Sequence, residues 1–131
     1  MSVTKARARI LVAEDNAVNQ RLVVSILRNK HYDVEVVTNG VRAVEAARTG
    51  NYDLVIMDLQ MPEMSGLDAT IRIRESEGEV AQIPIIGLTA YAMIADRNQI
   101  AESGMNACLT KPIDSKELLS AISEHLAAAR G

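Results

Sequence analysis

Three short, unbroken apolar runs constrain this chain more than any other feature. They are ILVA at 10–13, LVIM at 54–57 and IPIIGL at 83–88. A strand that is apolar on both faces needs cover on both faces, which a sheet sandwiched between helices provides. The intervening segments supply those helices. Val18, Leu22, Ile26 and Leu27 follow a helical spacing over residues 16–30. Gly40 and Gly50 bracket a second helix carrying Val41, Val44 and Ala47. Gly66 opens a third, with Leu67, Ile71 and Arg74 in step, which runs out in the polar ESEGE at 75–79. Residues 91–103 read as a fourth, stopping at Gly104. The fifth covers 114–127, where Asp114 and Glu117 have the spacing of a capping box. VEVV at 34–37 is a half-polar strand, and NACLT at 106–110 is a weak one.

Strand then helix, five times over, predicts an α/β fold: a flavodoxin-like (βα)5 doubly wound parallel sheet in the order 2-1-3-4-5. The half-polar and weak strands belong at its edges. A length of 131 residues fits one domain over 8–127, with a short basic tail at 1–7 and another tail at 128–131. There is no Phe or Trp, so Val, Ile, Leu, Ala and Met must build the core. A net charge of −3 gives no broad basic footprint, which argues against direct nucleic-acid binding. No apolar run has the length of a membrane span, and no secretory h-region follows the basic start. Cys108 is the only cysteine, so no internal disulfide can form and a cytoplasmic location is expected.

In a parallel sheet the carboxyl ends of all strands lie on one edge. That edge would gather Glu14 and Asp15 from strand 1, Asp58 from strand 3, Thr89 from strand 4 and Lys111 from beyond strand 5. Two carboxylates about 4 Å apart repel by roughly 4 kcal/mol at an effective dielectric near 20. The cluster therefore takes up a proton or a cation. Oxygen ligands with no His or Cys suit Mg²⁺ and disfavour zinc. Mg²⁺, a lysine and a hydroxyl around one carboxylate form a phosphoryl-transfer site, with Asp58 as nucleophile. Each residue also has a plainer explanation. Asp15 or Asn16 can cap the helix that follows, Asp58 can end a strand before Pro62, Thr89 can be an ordinary strand residue and Lys111 a solvated loop lysine. Those explanations treat each position separately and leave the shared edge unexplained.

The stretches ILVAEDNAVNQ, DLVIMDLQMPEMSGLDAT, PIIGLTAYAM and GMNACLTKPID together resemble the receiver domains of two-component response regulators, most closely those of hybrid histidine kinases. The strand order is the family's own, so it is not independent support. The resemblance implies that Asp58 accepts a phosphoryl group from a phosphohistidine on a histidine kinase or histidine phosphotransfer protein. Asp15 would bind Mg²⁺ directly and Glu14 through a water, with Asp58 and the Gln60 carbonyl completing the protein ligands; Mn²⁺ is the alternative ion. Lys111, Thr89 and the Ala90 amide would hold the phosphoryl oxygens. Pro62 and Gly66 would turn the loop over the site, and Lys111–Pro112 would be a cis peptide. The helix at 16–30 would be the docking face for the histidine partner. Output would pass through the 91–127 face to an effector or a covalently linked kinase, with a weak homodimer as a further option.

One position departs from that pattern. Three residues before the lysine the family usually carries Tyr or Phe, and here stands Cys108. A thiol cannot swing as a ring does, so coupling to the 91–127 face is expected to be weaker or built differently. Tyr91 is a candidate substitute near the site. Two rival functions fit less well. Haloacid-dehalogenase-type phosphatases need an acid two residues after the nucleophile, where this chain has Gln60. Nucleotide binding needs a glycine-rich loop after strand 1, where this chain has AEDNAVN.

Overall fold

The computed structural model describes residues 7–90 and 94–130. Five strands, β1 (Arg9–Ala13), β2 (Asp33–Val37), β3 (Leu54–Asp58), β4 (Ile85–Thr89) and β5 (Ala107–Thr110), alternate with five helices. The helices are α1 (Ala17–Asn29), α2 (Gly40–Thr49), α3 (Gly66–Arg74), α4 (Ile94–Ser103) and α5 (Ser115–Arg130). All strand pairs are parallel and the order is β2-β1-β3-β4-β5. Among the described residues no helix is long and apolar enough to cross a membrane.

Alternate residues of each strand face opposite sides, so the sheet divides the core in two. Leu11, Ala13, Val55, Met57 and Ile85 pack with α2, α3 and α4. Ile10, Val12, Leu54, Ile56, Ile86 and Leu88 pack with α1 and α5. β3 and β4 are buried at every position, whereas β2 and β5 are half-exposed edges, as their composition predicts.

Local chemistry sets the helix ends. Asn16, Asn39 and Ser65 each accept a backbone N–H at the start of α1, α2 and α3. Asp114 Oδ1 accepts from the Glu117 amide at 3.0 Å, which is half of the expected capping box. A 3-10 turn at Gly78–Gln82 was not apparent from composition. The expected tail at 128–131 is helical as far as Arg130, since Ala127, Ala128 and Ala129 favour continued helix.

Two helical faces differ from expectation. On α1 the buried residues are Val23 and Leu27, while Val18 and Leu22 face outwards. On α3 the buried stripe is Gly66, Ala69, Thr70 and Ile73, with Ile71 outside. Small residues let α3 approach closely, and the Thr70 hydroxyl donates to the Gly66 carbonyl at 2.8 Å, which satisfies it in the core.

Arg74 ends α3 as a clamp. Its guanidinium donates to the carbonyls of Gly104, Ala81 and Ile83, at 3.0, 3.0 and 2.7 Å, and to Asn106 Oδ1 at 2.8 Å. Asn106 Oδ1 also accepts the Ile85 amide at 2.8 Å. One side chain thus ties α3 to the starts of β4 and β5, at the edge away from the strand carboxyl ends.

Candidate functional site

Glu14 follows β1 directly and is fully buried. Its amide donates to the Val37 carbonyl at 3.0 Å, which extends the sheet one residue beyond the strand. Its Oε2 accepts the Asn16 amide at 3.2 Å, and Gln20 Nε2 donates to its carbonyl at 2.6 Å. Capping of α1 falls to Asn16, whose Oδ1 accepts from the Asn19 amide, so Asp15 is not used for it. Asp15 is exposed at the mouth of the site.

Asp58 is the last residue of β3 and almost fully buried. Its Oδ1 accepts the Gln60 amide at 3.2 Å. The backbone then leaves the sheet: the Gly66 amide returns to the Leu59 carbonyl at 2.9 Å. A Cβ on Gly66 would lie 2.2 Å from the Asp58 carbonyl oxygen, so only glycine permits this closure. At the tip, the Met64 amide bonds the Pro62 carbonyl at 2.7 Å around Glu63, whose φ is 68°. This is a γ-turn of the rare, strained sign.

Lys111 joins the acids. Its Nζ lies 3.3 Å from Glu14 Oε1 and 3.4 Å from Asp58 Oδ2, in a side chain that is 19% exposed. Its amide donates to the Thr89 carbonyl at 2.7 Å, which fixes the end of β5 against β4. The Lys111–Pro112 peptide is cis. Thr89 is buried at the end of β4, and Ala90 beside it is exposed. The topology thus brings Glu14, Asp15, Asp58, Thr89 and Lys111 to one edge.

The electrostatics favour a cation. Glu14, Asp15 and Asp58 each offer an oxygen, all within 4.8 Å of one another. Burial raises the Glu14 carboxyl above its usual value, and Asp58 adds to this through a hydrogen bond and through charge; the Asn16 amide and Lys111 oppose it. Glu14 Oε1 is buried without a hydrogen-bond partner, although Lys111 approaches it as an ion pair. An all-oxygen set with one orphaned carboxylate oxygen fits a hard divalent ion such as Mg²⁺.

Cys108 lies on the α3–α4 side of the sheet, opposite Gly87. A Cβ on Gly87 would meet Met105 Sδ at 2.6 Å, Leu59 Cδ1 at 2.8 Å and Cys108 Sγ at 3.3 Å. These three side chains close over the glycine. Burial pushes the Cys108 thiol up to about 11. Tyr91 lies outside the described residues. Gln20 and the Glu63 turn belong to the site's framework, yet neither is marked by a motif; a glutamine one turn into a helix carries no signal of its own.

Residues 10–123 match the response regulator receiver domain family, and the chain belongs to it. It is 40% identical over 124 residues to hybrid signal transduction histidine kinase I of Dictyostelium discoideum, covering 90% of this chain and 7% of that protein. It is 33% identical over 120 residues to the polar-differentiation response regulator DivK of Brucella anthropi, covering 92% of this chain and 97% of that one. Among solved structures, it resembles the receiver domain of sensor histidine kinase PA1611 from Pseudomonas aeruginosa, which has a magnesium ion coordinated in its active-site cleft. That match has a TM-score of 0.87 and 38% identity over 93% of this chain and 99% of the other. The chain is therefore a receiver-type signalling domain, and it spans only a small part of the hybrid kinases it matches.

Proposed function

We propose that Asp58 is the phosphoacceptor and that the chain relays signals by taking a phosphoryl group from a phosphohistidine. The N–P bond of the phosphohistidine breaks, and a bond forms from phosphorus to one carboxylate oxygen of Asp58, giving an acyl phosphate. The observation that carries this reading is Lys111 set between the buried carboxylates of Glu14 and Asp58, beside Asp15 and next to the end of β4. Lys111 neutralises charge on a transferred phosphoryl oxygen, and the Thr89 hydroxyl and Ala90 amide donate to others. Glu14, Asp15, Asp58 and the Gln60 carbonyl hold Mg²⁺, with Mn²⁺ as a substitute. The ion supplies further charge neutralisation. The same groups serve a separate hydrolytic step, in which water attacks phosphorus, the P–O bond to Asp58 breaks and inorganic phosphate leaves. The donor is a histidine kinase or phosphotransfer protein docked on α1. The output runs through α4, β5 and α5 to an effector or a linked kinase.

Intact mass after incubation with a small-molecule phosphodonor tests this. One Mg²⁺-dependent phosphoryl, absent from Asp58→Asn, is expected. A phosphoryl that persists in Asp58→Asn would place the acceptor elsewhere. Cys108→Tyr tests the altered coupling: the gain in effector affinity on phosphorylation should rise in the variant. An unchanged gain removes Cys108 from the account.

A further inference from the structure

Three large hydrophobic side chains are exposed among the described residues, and they lie on two helices of opposite character. Val18, 69% exposed, and Leu22, 42% exposed, sit one turn apart on the outer face of α1. Arg21, Ser25 and Arg28 continue that face, all exposed. No acid occurs anywhere in residues 16–32, where Arg21, Arg28 and Lys30 are the fully charged groups. The third, Ile71, is 41% exposed on α3. It lies in a cleft of about 360 Å³ with Met64, Glu63, Asp68, Arg72 and Glu75. Asp68, Ile71, Arg72 and Glu75 recur at i, i+3, i+4 and i+7, so they form one helical stripe. Among the described residues, the Glu63, Asp68 and Glu75 carboxylates have no ion-pair partner, and neither does the Arg72 guanidinium. One helix thus offers apolar knobs flanked by positive charge, and the other an apolar cleft flanked by three negative charges and one positive.

We infer that the α3 cleft receives the α1 face of a second copy of this chain. Val18 and Leu22 pack on Ile71 and Met64, and Arg21 and Arg28 meet Asp68 and Glu75. Leaving either apolar stripe in water costs free energy that the contact recovers, and the charges set its direction. The two surfaces lie on opposite faces of the sheet, so one copy does not present both to the same neighbour and the contact is head-to-tail. Each added copy leaves one free α1 and one free α3, and assembly does not stop at two. Two short stripes make a small contact, which associates weakly. The histidine-bearing partner proposed above uses the same α1 face, so a second copy and that partner compete for it; the test uses the unphosphorylated chain alone, and its result does not decide whether Asp58 is the acceptor.

Sedimentation velocity of the chain at rising concentration, in low and high salt, is the experiment. The expected result is a weight-average mass that climbs past that of a dimer and falls back in high salt. Arg21→Glu with Arg28→Glu, and separately Asp68→Lys with Glu75→Lys, should each be monomeric with unchanged circular dichroism. Mixing the two variants should restore association, because the reversed α1 meets the reversed α3. Ile71→Ser, which leaves every charge in place, should weaken association of the otherwise unaltered chain by about tenfold. A monomer at every concentration, a plateau at the dimer, or a mixture that stays monomeric would each overturn the proposal.

Discussion

A carboxylate buried as deeply as Glu14 stays ionised only while positive charge shares its pocket. In the metal-free protein that charge is Lys111 alone, and burial still raises the Glu14 carboxyl. The native state therefore binds the Glu14 proton more tightly than the unfolded chain does. This stabilisation is complete below the usual value of 4.5 and is lost as pH rises through the raised native value. The melting temperature of metal-free protein should fall over that interval. Glu14→Gln should flatten the fall, and added Mg²⁺ should offset it in the unmutated protein but much less in the variant. Thermal melts from pH 4 upwards, with and without the ion, check this. Gly66 is constrained by sterics instead. Ala there would push a methyl into the Asp58 carbonyl oxygen, and since that atom is backbone, the loop must move. Gly66→Ala should cost about 2–3 kcal/mol in urea unfolding and weaken Mg²⁺ binding with it. The residue types of this site were legible in the chain as an acid pair, an acid, a hydroxyl and a lysine. Their supports were not, because a backbone amide at Asn16 or a carboxamide at Gln20 has no distinctive sequence signature.

At the scale of elements, apolar spacing marked α1 and α3, and only part of each marked stripe meets the core: Ile26 and Leu27 on α1, Leu67 on α3. Val18, Leu22 and Ile71 obey a helical spacing and still face water. Spacing reports that a helix has an apolar stripe; it does not report whether that stripe is turned to the sheet. On α3 the buried positions are Ala69 and Thr70, whose small size, rather than hydrophobicity, suits a close approach. Arg74 falls in step with Leu67 and Ile71 in the sequence and is a polar clamp in the structure. Its partners are carbonyls and one amide oxygen, and burial lowers its ordinary affinity for a proton. Arg74→Met keeps the packing volume but leaves the Ala81, Ile83 and Gly104 carbonyls without this donor. A loss of about 2–4 kcal/mol in urea unfolding is expected, with little change in Mg²⁺ affinity, because the clamp sits at the opposite edge from the acids. A loss of Mg²⁺ binding as large as that of Gly66→Ala would mean that the two edges are coupled.

Across the whole molecule, topology was the most legible property. Three apolar runs and two poorer ones assigned the centre and the edges of the sheet, and burial follows that division. Chemistry at the strand ends was legible for the same reason, since parallel order alone sends Glu14, Asp58, Thr89 and Lys111 to one side. Cys108 is the position where the resemblance to the family's usual sequence breaks, and its half-buried sulfur sits beside Met105 and Leu59 over Gly87. The raised thiol should react with a disulfide reagent at pH 8 about a hundredfold more slowly in folded protein than in urea. Comparable rates in the two conditions would mean that β5 opens readily.

The segregation of the site to one edge has a practical corollary for protein engineering. Gly78 stands in the 3-10 turn before β4, with φ of 79° and open space where a side chain would begin. It belongs to the edge that carries no acid of the cluster. A fluorescent module spliced into the chain there would sit on the far side of the sheet from Asp58. Such a fusion should load Mg²⁺ and phosphoryl like the parent chain, which makes this turn a natural attachment point for a sensor of signalling state.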